Sequence, residues 1–358
     1  MSRTYLDWNA TTPLRPEARK AMAEAMDMIG NPSSVHAEGR AAKMALERAR
    51  EAVAQALGAE SHGDVVFTSG STEAAAFLLA GRDLSASAIE HDAVLAWTEH
   101  DLEADRNGLV APPDPSRATL QLANSETGVI QTLPDGLAVS DLTQGFGRIP
   151  FAFDWAGIEA GFVSAHKLGG PKGIGAIVMR KGMDMAERAR IKGGGQEQGR
   201  RSGTENLIGA MGFAAAAQAA QRDLTQGSRE KLSELRDSLQ TALEAGAEMA
   251  TFPGRNSPRL PNTLCILTPG WRGETQVMQM DLAGFAISAG SACSSGKVRA
   301  SGVLRAMGVA EADASCAIRV SIGPTTTAED LDRFASAWLT AHDRWRKRRN
   351  DRETPAGG

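Results

Sequence analysis

Short apolar runs of strand character alternate along the first two thirds of the chain with longer, alanine-rich stretches of helical period. The runs at 64–68, 87–89, 119–123, 137–140, 161–163 and 175–179 are brief and rich in β-branched residues, so they predict buried strands. The intervening stretches 16–27, 41–57, 72–79 and 207–221 carry helix-favouring residues without proline after the first turn, and predict helices. This rhythm is that of an α/β fold with a mainly parallel sheet. Beyond residue 221 the pattern changes. A charged amphipathic helix is expected over 228–245, and the loop TFPGRNSPRLPN then marks a boundary through its prolines and glycine. Strands at 263–267, 284–288 and 317–322, a helix at 274–283 and a final helix over 327–346 complete an appended α+β unit. Thr327 caps that last helix, with Glu329 and Asp330 in its first turn. The expected division is an arm, 1–15, packed on the small domain, a large domain over 16–223, a small domain over 224–350 and a disordered tail over 351–358.

Composition narrows the class. A chain of 358 residues exceeds what one core usually organises, which favours two domains in one subunit. Apolar residues at 42% and charged residues at 23% are ordinary for a globular protein. The net charge of −4 gives no global pull toward nucleic acid or anionic membrane. Arg344, Arg346, Lys347, Arg348, Arg349 and Arg352 cluster at the end of the last helix, where the dipole favours cations. With no apolar leader at the N-terminus and no stretch near the roughly 20 residues of a membrane span, a cytoplasmic location is expected. Cys265, Cys293 and Cys316 are odd in number and far apart, which argues against a disulfide framework and against a zinc site, so no metal is expected.

Two segments carry chemistry. DVVFTSGSTEAAAFLLAG runs from a strand through a small-residue turn into a helix beginning near Thr72, and the free amides of such a helix start suit a phosphate. Alone, the motif is more often a capped helix after a tight turn. In SAHKLGGPKGIGAIV, Lys167 follows a buried strand and precedes a glycine-rich turn. A lysine so placed is either a snorkelling surface residue or one that binds a carbonyl cofactor covalently. A phosphate cradle with such a lysine suggests pyridoxal 5'-phosphate (PLP).

The stretches YLDWNATTP, GNPSSVHAEGR, FTSGSTE, IEHDAVL, ANSETGVIQ, DLTQGFGRIP, SAHKLGGPKGIGA, GGGQEQGRRSGTEN, SAGSACSSG and IRVSIG, in that order, resemble the NifS/IscS-like cysteine desulfurases, members of the fold-type-I PLP enzymes. The likeness runs nearly the whole length. It implies a large domain with a mainly parallel seven-stranded sheet and a smaller α+β C-terminal domain. It also implies roles for individual residues. Lys167 would hold PLP and move protons at the substrate carbon; Asp141 would pair with the pyridine nitrogen and Gln144 with the ring's phenolic oxygen; His91 would stack on the ring and assist proton transfer. Ser71, Thr72, Ser164 and His166 would serve the phosphate side, with Thr204 reaching into the neighbouring subunit's site of a homodimer. Arg319 would hold the substrate carboxylate, unless it is simply a buried ion pair. Asn31 would line the substrate side, unless it is a structural turn.

Cys293, in a small-residue loop, would accept sulfur from L-cysteine as a persulfide and pass it to an acceptor or scaffold protein for iron–sulfur cluster assembly or thiolation, leaving L-alanine. Cys265 and Cys316 read as core residues. The sequence departs from the family at Ser125, where a second asparagine is usual near the cofactor ring, and at Ala75 and Ala76, where asparagine is usual. Only 13 residues, 124–136, join two expected strands, too few for a crossover helix, so part of one sheet face is expected to be bare or covered by another chain. Two other readings stay open: PLP chemistry on a related amino acid, and a degenerate desulfurase-fold subunit that only binds.

Overall fold

The computed structural model describes residues 3–59, 65–183, 189–290 and 300–353; Cys293 therefore lies outside the described residues. In chain order the strands are β1 Thr4–Tyr5, β2 Val65–Thr68, β3 Ser85–Ser87, β4 Glu99–Leu102, β5 Ser140–Asp141, β6 Ala160–Ser164, β7 Gly175–Met179, β8 Thr263–Leu267, β9 Phe285–Ala286, β10 Ser288–Ala289 and β11 Ala317–Ser321. The helices are α1 Pro16–Met26, α2 Ala37–Ala56, α3 Ser71–Leu79, α4 Asp92–Leu95, α5 Leu207–Thr225, α6 Ser228–Gly246, α7 Gly273–Leu282, α8 Gly302–Ala306, α9 Glu311–Ala314 and α10 Ala328–Glu353.

Seven extended segments lie side by side in the order β2, β7, β6, β5, 118–122, β3, β4. The fifth is held by single bridges, Thr119 to Val139 and Ala118 to Ser85, and by bonds from the Leu120 and Leu122 amides to the carbonyls of Val139 and Asp141. All neighbours run parallel except β7, which is antiparallel to both β2 and β6. The connection from β6 to β7 is too short for a crossover, so β7 must return alongside its predecessor. The sheet is thus the mainly parallel, seven-stranded one that the resemblance implies.

Side chains alternate across it as the pleat requires. Val65, Phe67, Val163, Ala176 and Val178 join the cluster that holds α2 and α5, while Val66, Phe162, Ile177 and Met179 pack with α3 and α4. α5 is almost all alanine and glycine on its buried face, which lets α1 approach closely: a Cβ at Gly212 would stand 2.6 Å from Met22. The 124–136 connection holds no helix. Nevertheless Leu120, Leu122 and Leu137 are fully or nearly buried within this one chain, which corrects the expectation of a bare face. Ile149, Phe153, Ile158 and Leu57 share their cluster, and the amides of Phe153 and Asp154 bond the carbonyls of Leu57 and Gly58. The 149–158 segment, drawn onto the end of α2, therefore fills the space a crossover helix would take.

A second apolar cluster gathers Leu6, Leu239, Ile266, Trp271, Ile318, Phe334 and Trp338 from the arm and from α6, β8, β11 and α10. Its sheet has the order β10, β11, β8, all antiparallel. The strand expected at 284–288 divides at Ile287: β9 pairs with β1, and β10 pairs with β11. The capping box at Thr327 and Asp330 starts α10, whose end at Glu353 lies three residues into the stretch expected to be tail.

Candidate active site

The residues with candidate chemistry sit where the parallel strands end at their carboxyl edge, the side on which open α/β sheets bind ligands. Lys167 closes the short turn Ala165–Lys167 that follows β6. Its Nζ donates to the carbonyls of Asn9 at 2.7 Å and Ala10 at 2.9 Å. On the adjacent strand, Asp141 accepts from the Thr143 amide at 2.8 Å. Burial lifts the Asp141 carboxyl above its ordinary pKa; the Thr143 bonds and the charges of His91 and Lys167 pull it back. The imidazole and the amine are thus both within electrostatic reach of the carboxyl. His91 caps α4, its Nδ1 accepting from the Ala93 amide at 3.1 Å, and stands exposed at the mouth.

Beside them the first turn of α3 presents the amides of Ser71, Thr72 and Glu73, which have no helical acceptor. Ser71 Oγ meets Thr143 Oγ1 at 2.8 Å, tying this turn to the segment after Asp141. The turn lies tight on the sheet because Gly175 has no side chain: a Cβ there would come within 2.8 Å of the Gly70 Cα. A Cβ on Gly70 would project into the space facing Ser164 Oγ, 3.9 Å away. That space, bounded by helix amides and hydroxyls beside a lysine and an acidic group, fits the phosphate and ring of PLP. His166 bonds Thr11 Oγ1 at 3.1 Å, and burial, then the charges of Lys167, Lys172 and Arg148, lower its pKa to about 4. So lowered, the ring favours its neutral form.

Two residues that local pattern does not single out hold this centre together. Asn9 donates to the Ser125 carbonyl and to Thr263 Oγ1, while its Oδ1 accepts from Arg148 and Asn262. Arg148 also donates to Gln144 Oε1 and to the carbonyls of Trp8 and Lys167; burial, then Arg319, lower its pKa to about 9. Gln144 Nε2 donates to the Asn9 carbonyl, which leaves its second hydrogen for a ring oxygen. Arg319 pairs with Asp7 at 2.8 Å and bonds the Ser125 carbonyl, so the buried ion pair expected as its alternative role exists; its Nε is buried and has no partner among the described residues.

Asn31 and Thr204 stand apart from this group. Asn31 is exposed and turns the chain, its Oδ1 accepting from the Ser33 amide. Thr204 is exposed and lines a cleft with Ser69, Gly173 and Arg201. Its segment is anchored by a buried ion pair unnoticed in the sequence: Arg50 grips Glu197 at 2.5 and 3.1 Å, and Glu197 also accepts from the Phe67 amide just before the Gly70 turn. The only advance signal for that pair was a Glu within a glycine-rich run.

Residues 4–111 and 113–334 match the family model for aminotransferase class-V. A cysteine desulfurase of Cereibacter sphaeroides is 38% identical, covering 93% of this chain and 94% of its own. A cysteine desulfurase IscS of Dictyoglomus turgidum is 37% identical over 92% and 91% of the two chains. Among solved structures, a NifS-like protein from Rickettsia africae superposes with a TM-score of 0.85 at 30% identity, covering 95% of this chain and 99% of that one.

Proposed function

The chain belongs to the aminotransferase class-V family, and from that footing we propose that it is a PLP-dependent cysteine desulfurase, converting L-cysteine to L-alanine and taking the sulfur onto Cys293 as a persulfide for iron–sulfur cluster assembly or thiolation. The observation that carries this reading is the convergence of the Lys167 amine, the Asp141 carboxyl and the open first turn of α3 on one sheet edge.

Bound there, PLP supplies an electron sink for bond breaking at the substrate α-carbon. Lys167 would hold the cofactor and would move the proton at that carbon. Asp141 would keep a proton on the pyridine nitrogen, Gln144 would donate to the phenolic oxygen, and His91 would cover the ring. The amides and hydroxyls of Ser71, Thr72 and Ser164 would hold the phosphate, with His166 as a further hydrogen-bond partner. The place of the family's second asparagine is taken by Ser125, whose carbonyl is committed to Asn9 and Arg319. Arg319 orients the substrate carboxylate. The Cys293 thiolate forms a bond to the substrate sulfur as the carbon–sulfur bond breaks, so cysteine and thiol become alanine and persulfide.

Asn31 would line the substrate side, and a homodimer in which Thr204 completes the neighbouring site suits the exposed Ile29 and Val35 around the 31–34 turn, at 83% and 87% accessibility. The test is the Cys293→Ala variant, which should keep the cofactor's absorption band and lose sulfur release. Undiminished turnover in that variant would refute the role of Cys293.

A further inference from the structure

Glu126, the residue after Ser125, is used by none of the steps above. Its Oε2 accepts a hydrogen bond of 2.5 Å from Ser301 Oγ. Ser301 is the cap of α8: its Oγ accepts from the Leu304 amide at 3.0 Å, and its own amide bonds the Ala314 carbonyl. Gly290 stands on the other side of the same carboxyl. A Cβ there would lie 3.2 Å from Glu126 Oε2 and 3.4 Å from Ser301 Cβ, while the Gly290 amide bonds the Ala317 carbonyl of β11. Gly290 immediately precedes the 291–299 stretch that carries Cys293, and Ser301 follows it by two residues.

We propose that Glu126 is a positioning residue that pins the stem following the Cys293 segment, at Ser301, to the motif next to the cofactor site, with the preceding stem at Gly290 packed beside the same carboxyl. The proposal rests on the desulfurase reading for its consequence, since the pin would set where the sulfur-accepting thiol is anchored, but the pin itself is a property of the fold.

The charge state of the pin follows from its surroundings. The groups that act on Glu126 are Ser301 from α8, Arg319 from β11, Asp92 from α4 and the buried Cys265 thiol from β8. Burial raises the carboxyl to a pKa of about 7, with Asp92 adding to the rise and Ser301 and Arg319 opposing it. An enclosed carboxyl with a raised pKa is stabilised in its enclosure by protonation; ionisation favours states that expose it. The stem at Ser301 is therefore held most firmly in acid and loosens as pH rises from the ordinary carboxyl value of 4.5 through about 7.

Hydrogen exchange at the Leu304 amide, corrected for its intrinsic pH dependence, reads this directly on the PLP-loaded protein. The wild type should exchange faster above neutrality than below it. Glu126→Gln, which keeps an acceptor for Ser301 Oγ and does not ionise, should stay protected at both, and Glu126→Ala should exchange roughly tenfold faster at both. The same pH dependence in Glu126→Gln as in the wild type, or no change in any variant, would overturn the pin. Alanine formation from L-cysteine by the wild type is scored separately: an inactive protein with the predicted exchange refutes the functional reading and leaves the pin, whereas an active one whose exchange ignores Glu126 refutes the pin alone.

Discussion

The carbonyl of Asn9 lies 2.7 Å from Nζ of Lys167, so the arm at the start of the chain touches the amine on which the chemistry is centred. The side chain of Asn9 then reaches Ser125, Thr263, Arg148 and Asn262, residues drawn from both apolar units. One buried amide thus sets the arm, the cofactor-side loop and β8 in a common frame.

Removing that amide should be expensive. Asn9→Ala strands the Arg148 and Asn262 donors and should lower stability by about 2–4 kcal/mol, seen as a lower urea midpoint with an unchanged slope. A loss under about 0.5 kcal/mol would show that water replaces the network.

Glu197→Ala leaves Arg50 buried with its main partner gone, and should destabilise by about 3–5 kcal/mol. Because Glu197 also takes the Phe67 amide, the variant should retain PLP less well, measured by the absorbance that survives dialysis. Equal retention by variant and wild type would separate the ion pair from the phosphate turn.

His166 gives the fold a pH dependence of definite sign. Its folded pKa of about 4 lies below the ordinary histidine value of 6.5, so its contribution is present above that value and is lost as pH falls from there through the folded one. Denaturation midpoints of the cofactor-free protein should fall over that window, and His166→Gln should flatten the fall. An equally steep fall in the variant would assign it to other groups.

Arg319→Lys keeps a charge but loses the planar fork that serves Asp7, Ser125 and a carboxylate together. The KM for L-cysteine should rise roughly tenfold or more, with a smaller change in kcat. An unchanged KM would confine Arg319 to its ion pair.

How far the sequence reveals all this depends on whether the signal is local. β7 and β8 lie where their apolar runs predict, because both are buried on each face. β4 reads EHDL and is mostly exposed, so no hydrophobic pattern announces it. Lys167, Asp141 and the α3 turn are visible because each ends a strand within a recognisable motif. Asn9 and Arg148 are not, since their partners lie up to 312 and 140 residues away and only the fold brings them together. The buried sheet face at Leu120 and Leu137 escapes for the same reason: a distant segment, 149–158, supplies what the short connection lacks. Cys265 and Cys316, read as core residues from their neighbours, are both buried.

The central claim is that Lys167 organises PLP chemistry on L-cysteine, and the direct measurement is alanine formed from L-cysteine by the PLP-reconstituted protein with a thiol present to release sulfur. The wild type should form alanine and sulfide in equal amounts, and Lys167→Ala should form neither. Cofactor-loaded wild type that yields no alanine, or a Lys167→Ala variant that yields as much as the wild type, would contradict the account.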